Sequence, residues 1–331
     1  MNTPRARRRL GLPPPIACCI AAAIALCAQG AAAAAPGAAA SDALPVSEIA
    51  PGVFVHIGAI DDWLPGNGGD VANLGFIVGS RCVAVIDSGG TPALGARLRA
   101  AVAKATSRPV CYVINSHAHP DHVLGNAAFA VPTPAGSRPQ FVASARFPAA
   151  LRARSPYYRN ALQRDFGVAL AEDGVILPDL TVERSLELDL GERRLTLQAW
   201  PTAHTDNDLT VFDAQTRTFF ASDLLFSGHL PVLDGKLRGW LAALATLRGL
   251  DVTIVVPGHG AVSTDWPGAL DAETAYLEAL QRDTRAALKA GLTIQQAVDR
   301  IVPPAGSSWQ LIDRFQRRNV TAAYAELEWE D

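Results

Sequence analysis

The chain has 331 residues, of which 49% are hydrophobic and 18% are charged, and its formal net charge is −3. This composition is that of a globular protein, and the length allows one large hydrophobic core or two small ones. No basic block lies outside the N-terminus, so electrostatics argue against a nucleic acid as partner.

Residues 1–40 have the pattern of a secretory signal peptide, which is removed from the mature protein. The pattern consists of a cluster of arginines, an apolar run and a run of small residues: Arg5 with Arg7, Arg8 and Arg9, then Ile16 to Leu26, then Ala31 to Ala35. The apolar run is shorter than the roughly 20 residues of a membrane span. An uncleaved anchor is the alternative, and the arginines also allow a twin-arginine signal. We predict a periplasmic protein with no stable membrane span after signal removal.

Export would leave only two cysteines, Cys82 and Cys111, in the mature chain. Both lie in apolar runs that end just before a polar motif, so they would be neighbours if the two strands are parallel. In an oxidising compartment such a pair can form a disulfide. Two buried free thiols are the alternative.

The region before residue 90 predicts an antiparallel meander of strands. The strands are Ile49–Ile57 around a Pro51-Gly52 turn, Leu74–Val78 and Cys82–Ile86. Between them lies a loop rich in turn formers, Asp61–Asp70. Its Trp63 is either a lid over a substrate or a residue packed on the body of the protein. His56, within the first strand, is predicted to be structural.

Asp87 ends the third of these strands, and a helix predicted over Pro92–Ala105 leads to a further strand, Val110–Ile114. Strand, helix and strand form a right-handed crossover unit. Asp87 therefore lies at the edge of the sheet where Ile114 ends. A carboxylate there can accept the second N–H of a ligand histidine; a helix cap or turn residue is the alternative.

Directly after Ile114 comes the segment Ser116-His117-Ala118-His119-Pro120-Asp121-His122. Four groups able to bind a divalent metal lie within six residues here, and three of the seven histidines of the chain are among them. A loop at a strand end lets such side chains point into one space. Imidazole nitrogens and a carboxylate suit zinc, and also manganese or iron.

The order His-x-His-x-Asp-His after an apolar strand resembles the signature of the metallo-β-lactamase superfamily. The resemblance implies an α/β protein with the αββα four-layer sandwich of that superfamily and a metal site at one edge of two packed sheets. It also implies that Asp87 supports a ligand histidine from behind and that further ligands follow later strands.

Those later strands each bring one ligand-type residue. His204 follows a strand at Leu195–Ala199, Asp223 follows Phe219, and His259 follows Ile254 to Val256. By resemblance, the ligands divide between two metals: His117, His119 and His204 would hold one, Asp121, His122 and His259 would hold the second, and Asp223 would bridge them. His229 follows Asp223 closely and is a candidate pocket residue.

The rest of the chain is less informative. Residues 141–180 are mixed, and within them Arg152–Arg159 is basic and aromatic, so it either lines a pocket for an acidic substrate or forms a solvated helix face. Arg314–Asn319 is interpreted as a solvated helix face. Helices are predicted over Gly239–Leu247, Pro267–Lys289, Ile294–Ile301 and Trp309–Trp329. We predict a catalytic domain over residues 41–265 and a helical C-terminal extension over 266–331 that packs on the same domain.

Several stretches resemble one branch of the superfamily, the exported quinoprotein relay system zinc metallohydrolases. They are Phe76–Gly79, Val83–Gly90, Val113–Phe129, Leu230–Trp240 and Arg318–Glu330. The resemblance implies a binuclear zinc hydrolase, with iron or manganese as other candidates, and a periplasmic quinoprotein dehydrogenase as partner. Its expected substrate is a small ester, thioester or amide attacked by a metal-activated water, which Asp121 would orient or deprotonate.

Three other functions remain open. A β-lactamase is one, although Asp223 stands where class B1 enzymes have a cysteine and instead resembles the bridging acid of glyoxalase II-like hydrolases. An iron-dependent dioxygenase on the same fold is the second, although such enzymes use only the first ligand triad. A non-catalytic metal-binding accessory protein is the third.

Overall fold

The computed structural model of the protein describes residues 43–131 and 138–330. The predicted signal peptide over residues 1–40 lies outside the described residues, which all belong to one compact unit. None of the helices in the described ranges combines the length and the apolar character that crossing a bilayer requires.

The first sheet has seven strands that follow one another in chain order: β1 (Ser47–Ala50), β2 (Val53–His56), β3 (Leu74–Val78), β4 (Val83–Ile86), β5 (Val110–Ile114), β6 (Gln140–Ser144) and β7 (Leu180–Val182). Strands β1 to β4 pair antiparallel, as the meander predicted, and β4 to β7 pair parallel. The prediction of one strand over Ile49–Ile57 was wrong. The turn at Pro51 and Gly52, where Gly52 has a φ of 70°, divides that segment into β1 and β2.

The second sheet has five strands: β8 (Ser185–Asp189), β9 (Arg194–Ala199), β10 (Leu209–Asp213), β11 (Thr218–Phe226) and β12 (Ile254–His259). Their order is β12-β11-β10-β9-β8, and only the β11–β12 pair is parallel. Side chains from the inner faces of both sheets form one apolar cluster, with Ile77 and Ile86 on one side and Leu197 and Val211 on the other.

The described residues form seven α-helices: α1 (Pro92–Ala105), α2 (Pro120–Val123), α3 (Phe147–Phe166), α4 (Leu237–Leu247), α5 (Asp271–Lys289), α6 (Ile294–Arg300) and α7 (Ile312–Leu327). Helix α1 covers the outer face of the first sheet through Leu94 and Leu98. Helices α4, α5 and α7 belong to the apolar cluster on the outer face of the second sheet, around Trp240 and Leu277. The predicted αββα sandwich with a helical C-terminal region is therefore confirmed.

Helix α3 was not predicted from the sequence. Its 20 residues include Pro156, which removes one backbone hydrogen bond of the helix, and no side chain caps its first turn. It is held by tertiary packing instead, since Phe147, Leu151 and Leu162 pack against the segment that carries the metal-binding motif.

Cys82 and Cys111 form a disulfide, with their Cα atoms 5.7 Å apart. Cys82 directly precedes β4 and Cys111 lies in β5, which is the parallel neighbour of β4. Of the two alternatives that the sequence left open, a disulfide or two buried free thiols, the structure has the disulfide.

We expect removal of this cross-link to lower the free energy of unfolding by about 3 to 4 kcal/mol, because it closes a long loop in the unfolded chain. The bond joins residues separated by 29 positions. Urea unfolding of the wild type should move to a lower midpoint in reductant, and the double variant Cys82→Ala, Cys111→Ala should match the reduced wild type. A variant whose midpoint equals that of the oxidised wild type would contradict the expectation.

Helix α5 carries a fully buried carboxyl group, Glu273, whose only polar neighbour of note among the described residues is the Phe226 amide. Burial raises the pKa of Glu273 well above its usual range. The Phe226 amide lowers this pKa and the negative charge of Asp223 raises it, and both effects are smaller than that of burial. In the unfolded chain this carboxyl loses its proton near pH 4.5, whereas in the folded protein it keeps it.

The number of protons bound in the folded and unfolded states determines whether the free energy of unfolding rises or falls with pH. Because the folded state binds more protons above pH 4.5, Glu273 makes the free energy of unfolding fall as the pH rises, by about 1.4 kcal/mol per unit until the folded pKa is reached. We expect Glu273→Gln to remove this component. Urea unfolding of both proteins between pH 5 and pH 8 measures it, and stability curves that run parallel would show that Glu273 is not protonated in the fold.

Candidate metal centre

Seven histidine and aspartate side chains meet at one edge of the two packed sheets. His117 and His119 lie in the loop after β5, Asp121 and His122 in α2, His204 between β9 and β10, Asp223 within β11, and His259 at the end of β12. They form two groups, and within each group the potential ligand atoms lie within 4.8 Å of one another. The structure therefore brings together every residue that the sequence proposed as a ligand.

The first group consists of three imidazoles whose nitrogens converge on one point. His119 Nδ1 lies 2.9 Å from His117 Nε2 and 3.2 Å from His204 Nε2. Burial lowers the pKa of His117 well below its usual range and that of His204 to about 3, so both rings are neutral and offer a lone pair. Three neutral imidazole nitrogens at this separation suit a shared cation.

The second group pairs two imidazoles with a carboxylate. Asp121 Oδ2 lies 3.5 Å from His122 Nε2 and 3.4 Å from His259 Nε2. Burial alone would lower the pKa of His259, but the charges of Asp223 and Asp121 outweigh it and raise the value to about 9. Negative charge is therefore concentrated between these rings, where a divalent cation would neutralise it.

Asp223 lies between the two groups. Its Oδ2 is 3.4 Å from His204 Nε2 and 3.4 Å from His259 Nε2, and its Oδ1 is 3.2 Å from His122 Nε2. The sequence placed Asp223 at a strand end, which was wrong, because β11 continues to Phe226. The neighbouring Ser222 has a φ of 48°, and the pairing of β11 with β12 is irregular there, so the bend occurs inside the strand.

The environment of two atoms in the centre indicates whether the site suits metal ions. His122 Nε2 and Asp223 Oδ1 are buried and lie 3.2 Å apart, yet neither forms a hydrogen bond with the other or with any other group of the described residues. Buried polar atoms are almost always paired, so this exception indicates a missing ligand. The donor set of imidazole nitrogens and carboxylate oxygens matches the preference of zinc, manganese and iron. The residues present therefore fit divalent cations.

The other ring nitrogen of each of the five histidines has a partner outside the centre. The pairs are His117 Nδ1 with Ser116 Oγ (3.0 Å), His119 Nε2 with Asp234 Oδ2 (3.1 Å), His122 Nδ1 with Asp87 Oδ2 (2.8 Å), His204 Nδ1 with the Val232 carbonyl (2.7 Å) and His259 Nδ1 with the Val71 carbonyl (2.9 Å). Such partners fix the orientation of the ring and leave the inner nitrogen free to coordinate a metal.

Asp87 makes three of the hydrogen bonds that hold the motif in place. Its carboxylate accepts from Ser116 N at 2.8 Å, from Ser116 Oγ at 2.7 Å and from His122 Nδ1 at 2.8 Å. The alternative of a helix cap is wrong, because Thr91 caps helix α1. Asp87 has a φ of 57°, a strained conformation for this residue type that the three bonds stabilise.

A cleft of about 490 Å³ opens above the centre. Its apolar walls include Trp63, Tyr157, Tyr158, Phe226, Val232 and Phe315. Trp63 also packs on Phe166 and donates a hydrogen bond to the Gly90 carbonyl, so it is packed on the body of the protein, and its function as a lid stays a prediction. His229 lines the cleft as well, whereas His56 bonds to the Pro45 carbonyl and to Asp70 and lies outside it.

Sequence reasoning missed four charged or aromatic residues of the cleft: Phe226, Asp234, Phe315 and Arg318. Asp234 follows the Leu230 to Leu233 segment, which was noted only for its resemblance. Phe315 and Arg318 lie in Arg314–Asn319, the part of α7 that was interpreted as a solvated helix face. Nothing in the sequence marks them, because their position depends on how α7 packs. Asn319 of α7 is buried and binds the Leu233 amide and the Pro231 carbonyl, which fixes the segment before Asp234.

The αββα sandwich thus carries, at one sheet edge, histidine and aspartate side chains that could hold divalent metal ions. A sequence profile of the metallo-beta-lactamase superfamily matches residues 67–259. The chain belongs to the metallo-β-lactamase superfamily. Members of this superfamily are metal-dependent hydrolases, and the chain carries a candidate divalent-metal site of that kind.

Solved structures of related fold agree. The inverting sec-alkylsulfatase Pisa1 from Pseudomonas sp. has a TM-score of 0.62 at 16% identity over 86% of this chain and 50% of its own. A metallo-beta-lactamase from Pontibacter korlensis has a TM-score of 0.55 at 21% identity over 71% of this chain and 99% of its own. TMB-1 has a TM-score of 0.52 at 19% identity over 71% and 97%.

These identities establish a shared fold and nothing finer. The chain spans about half the length of the alkylsulfatase that it matches. A comparison with curated proteins gives no significant match.

Proposed function

We propose that the protein is an exported binuclear zinc hydrolase of a small ester, thioester or amide. The observation that carries the proposal is the position of Asp223, whose two carboxylate oxygens lie between a group of three imidazoles and a group of two imidazoles and Asp121. A carboxylate in that position can hold two cations at a distance that allows both to act on one substrate.

Bound divalent cations lower the pKa of water and polarise the bond that is cleaved. The residues of the chain would position the metal ions and the attacking water. The outer hydrogen bonds of the five histidines orient the ligand nitrogens, and Asp121 faces both His122 and His259, from where it can orient or accept a proton from an attacking water. The aromatic walls of the cleft place apolar surface beside the space in which a substrate would bind.

Zinc is the proposed metal because five of the seven candidate ligands are imidazoles and the other two are carboxylates, a set that hydrolytic zinc sites use; iron and manganese accept the same donors. The two cysteines of the described residues are bonded to each other and are not in either ligand group. Export is supported by the arginine-rich and apolar N-terminal pattern and by this disulfide, since such bonds persist in oxidising compartments. A periplasmic quinoprotein dehydrogenase as partner rests on the sequence resemblance alone.

The experiment that tests the proposal is hydrolysis by protein purified from the periplasm and loaded with zinc. The substrates are a 4-nitrophenyl ester, a thioester with a thiol-detecting reagent, a 4-nitroanilide, nitrocefin and 4-nitrophenyl sulfate. We expect turnover of the carbonyl substrates, and we expect a chelator to abolish this turnover. Turnover of nitrocefin alone would make the substrate a β-lactam, and turnover of the sulfate alone would make it a sulfate ester; either result would overturn the proposed substrate class. Oxygen uptake without hydrolysis would contradict the proposal that the protein is a hydrolase.

A further inference from the structure

One carboxylate on the wall of the cleft is shared by three donors from three different parts of the chain. Asp234 accepts from His119 Nε2 at 3.1 Å, from an amino group of Arg154 at 3.0 Å and from an amino group of Arg318 at 2.6 Å. Arg154 lies on α3 and Arg318 on α7. Two guanidinium groups thus face a single carboxylate, and among the described residues neither forms an ion pair with a second acidic side chain.

Most of the hydrogen-bonding capacity of the two arginines is unused. A guanidinium carries five N–H donors, and among the described residues each arginine donates only to Asp234. Both side chains line the cleft and remain partly accessible, at 31% for Arg154 and 50% for Arg318. Donors that a carboxylate has already oriented are well placed to bind a second anion.

The other acidic side chains of the described cleft lining form no ion pair with these two arginines. Asp62 forms an ion pair with Arg314, and Asp61 accepts hydrogen bonds from the Asp62 amide and from the Asn67 side chain. Asp121 and Asp223 are committed to the metal centre. The wall around Arg154 and Arg318 is therefore the one part of the described cleft lining with excess positive charge.

We propose that Arg154 and Arg318 bind an anionic group of the substrate, a carboxylate or a sulfonate, so that the protein acts on small esters that carry a negative charge beside the bond to be cleaved. The inference rests on the proposed hydrolase function. Asp234 bonds directly to the ligand His119, so only two hydrogen bonds separate the Arg154 guanidinium from the metal centre. The anionic group must therefore lie close to the reacting bond.

A matched pair of substrates tests the inference: 4-nitrophenyl hydrogen succinate, which is charged, and 4-nitrophenyl pentanoate, a neutral ester of similar length. In the zinc-loaded wild type, kcat/KM for the charged ester should exceed that for the neutral ester by about tenfold or more, which corresponds to about 1.4 kcal/mol. The double variant Arg154→Gln, Arg318→Gln should bring the ratio close to one. A 4-nitrophenyl sulfopropanoate in the same assay distinguishes a sulfonate preference from a carboxylate preference.

The chain offers a control with the same change in net charge. Arg152 and Arg317 lie on the same two helices and are exposed, and neither lines the cleft. The double variant Arg152→Gln, Arg317→Gln should keep the ratio of the wild type. Elemental analysis of zinc in each variant verifies that the contact of Asp234 with His119 still supports the centre.

A binding measurement separates this inference from the hydrolase function. Calorimetric titration of the zinc-loaded proteins with succinate and with methanesulfonate should give an affinity about tenfold weaker in Arg154→Gln, Arg318→Gln than in the wild type and in the control. If no ester is hydrolysed, the proposed function fails, and this titration still decides the inference. Equal affinities in all three proteins, or an unchanged substrate ratio, would overturn it.

Discussion

Replacing His119 with alanine is expected to lower kcat/KM for hydrolysis by more than about 100-fold, because loss of a ligand exceeds the 10- to 100-fold cost of losing an outer partner of a ligand. His119 Nδ1 is the point on which His117 and His204 converge, at 2.9 and 3.2 Å. The variant should still fold, since His119 is at the cleft surface and its ring is not part of an apolar core. Steady-state kinetics and circular dichroism measure both expectations.

The matched control for this variant is a histidine outside the centre. His56 is buried and bonds to the Pro45 carbonyl at 2.8 Å and to Asp70 at 2.7 Å, so His56→Gln should lower stability and leave kcat/KM near that of the wild type. Comparable loss of activity in both variants would assign the effect to folding. Activity that survives in His119→Ala would remove the metal centre from the mechanism.

Asp87→Asn is expected to weaken zinc binding by about 10- to 100-fold. Oδ2 of Asp87 accepts from both Ser116 Oγ and His122 Nδ1, and Oδ1 accepts from the Ser116 amide. An asparagine has only one accepting oxygen, so its amino group must face at least one of these donors. The His122 ring would lose the bond that orients it toward the second metal. Competition with a chromogenic chelator measures the affinity directly.

Asp70→Asn is the matched control, because Asp70 supports a histidine, His56, in the same way but away from the centre. Zinc affinity in this variant should equal that of the wild type. Wild-type affinity in Asp87→Asn, or an equal loss in both variants, would show that Asp87 does not act through the ligand His122.

Much of the fold was readable from the sequence because its strands are short apolar runs with clear ends. Leu74–Val78 and Val110–Ile114 were predicted with the bounds that the structure has, and Thr91 and Pro92 mark the start of α1. The ligand set was readable for a related reason. Each ligand follows or ends an apolar run, and strands of a sheet deliver such positions to a common edge.

The remaining features depend on contacts that no local pattern encodes. The bend in β11 that turns Asp223 toward the centre comes from the left-handed backbone conformation of Ser222. Serine rarely adopts that conformation, so the sequence does not predict the bend. Helix α3 is stabilised by its packing on the motif segment in spite of Pro156. For Arg154 the sequence left open a pocket for an acidic substrate or a solvated helix face, and for Arg318 it favoured a solvated face; only the tertiary arrangement of α3 and α7 places both against Asp234.

The most direct test of the account is the metal content of the purified protein, measured by elemental analysis against the protein concentration. Two groups of ligands around one shared carboxylate predict two zinc ions per chain, and Asp223→Ala should reduce this number. One equivalent of iron, or one zinc that Asp223→Ala leaves unchanged, would contradict the binuclear centre on which the proposed function rests.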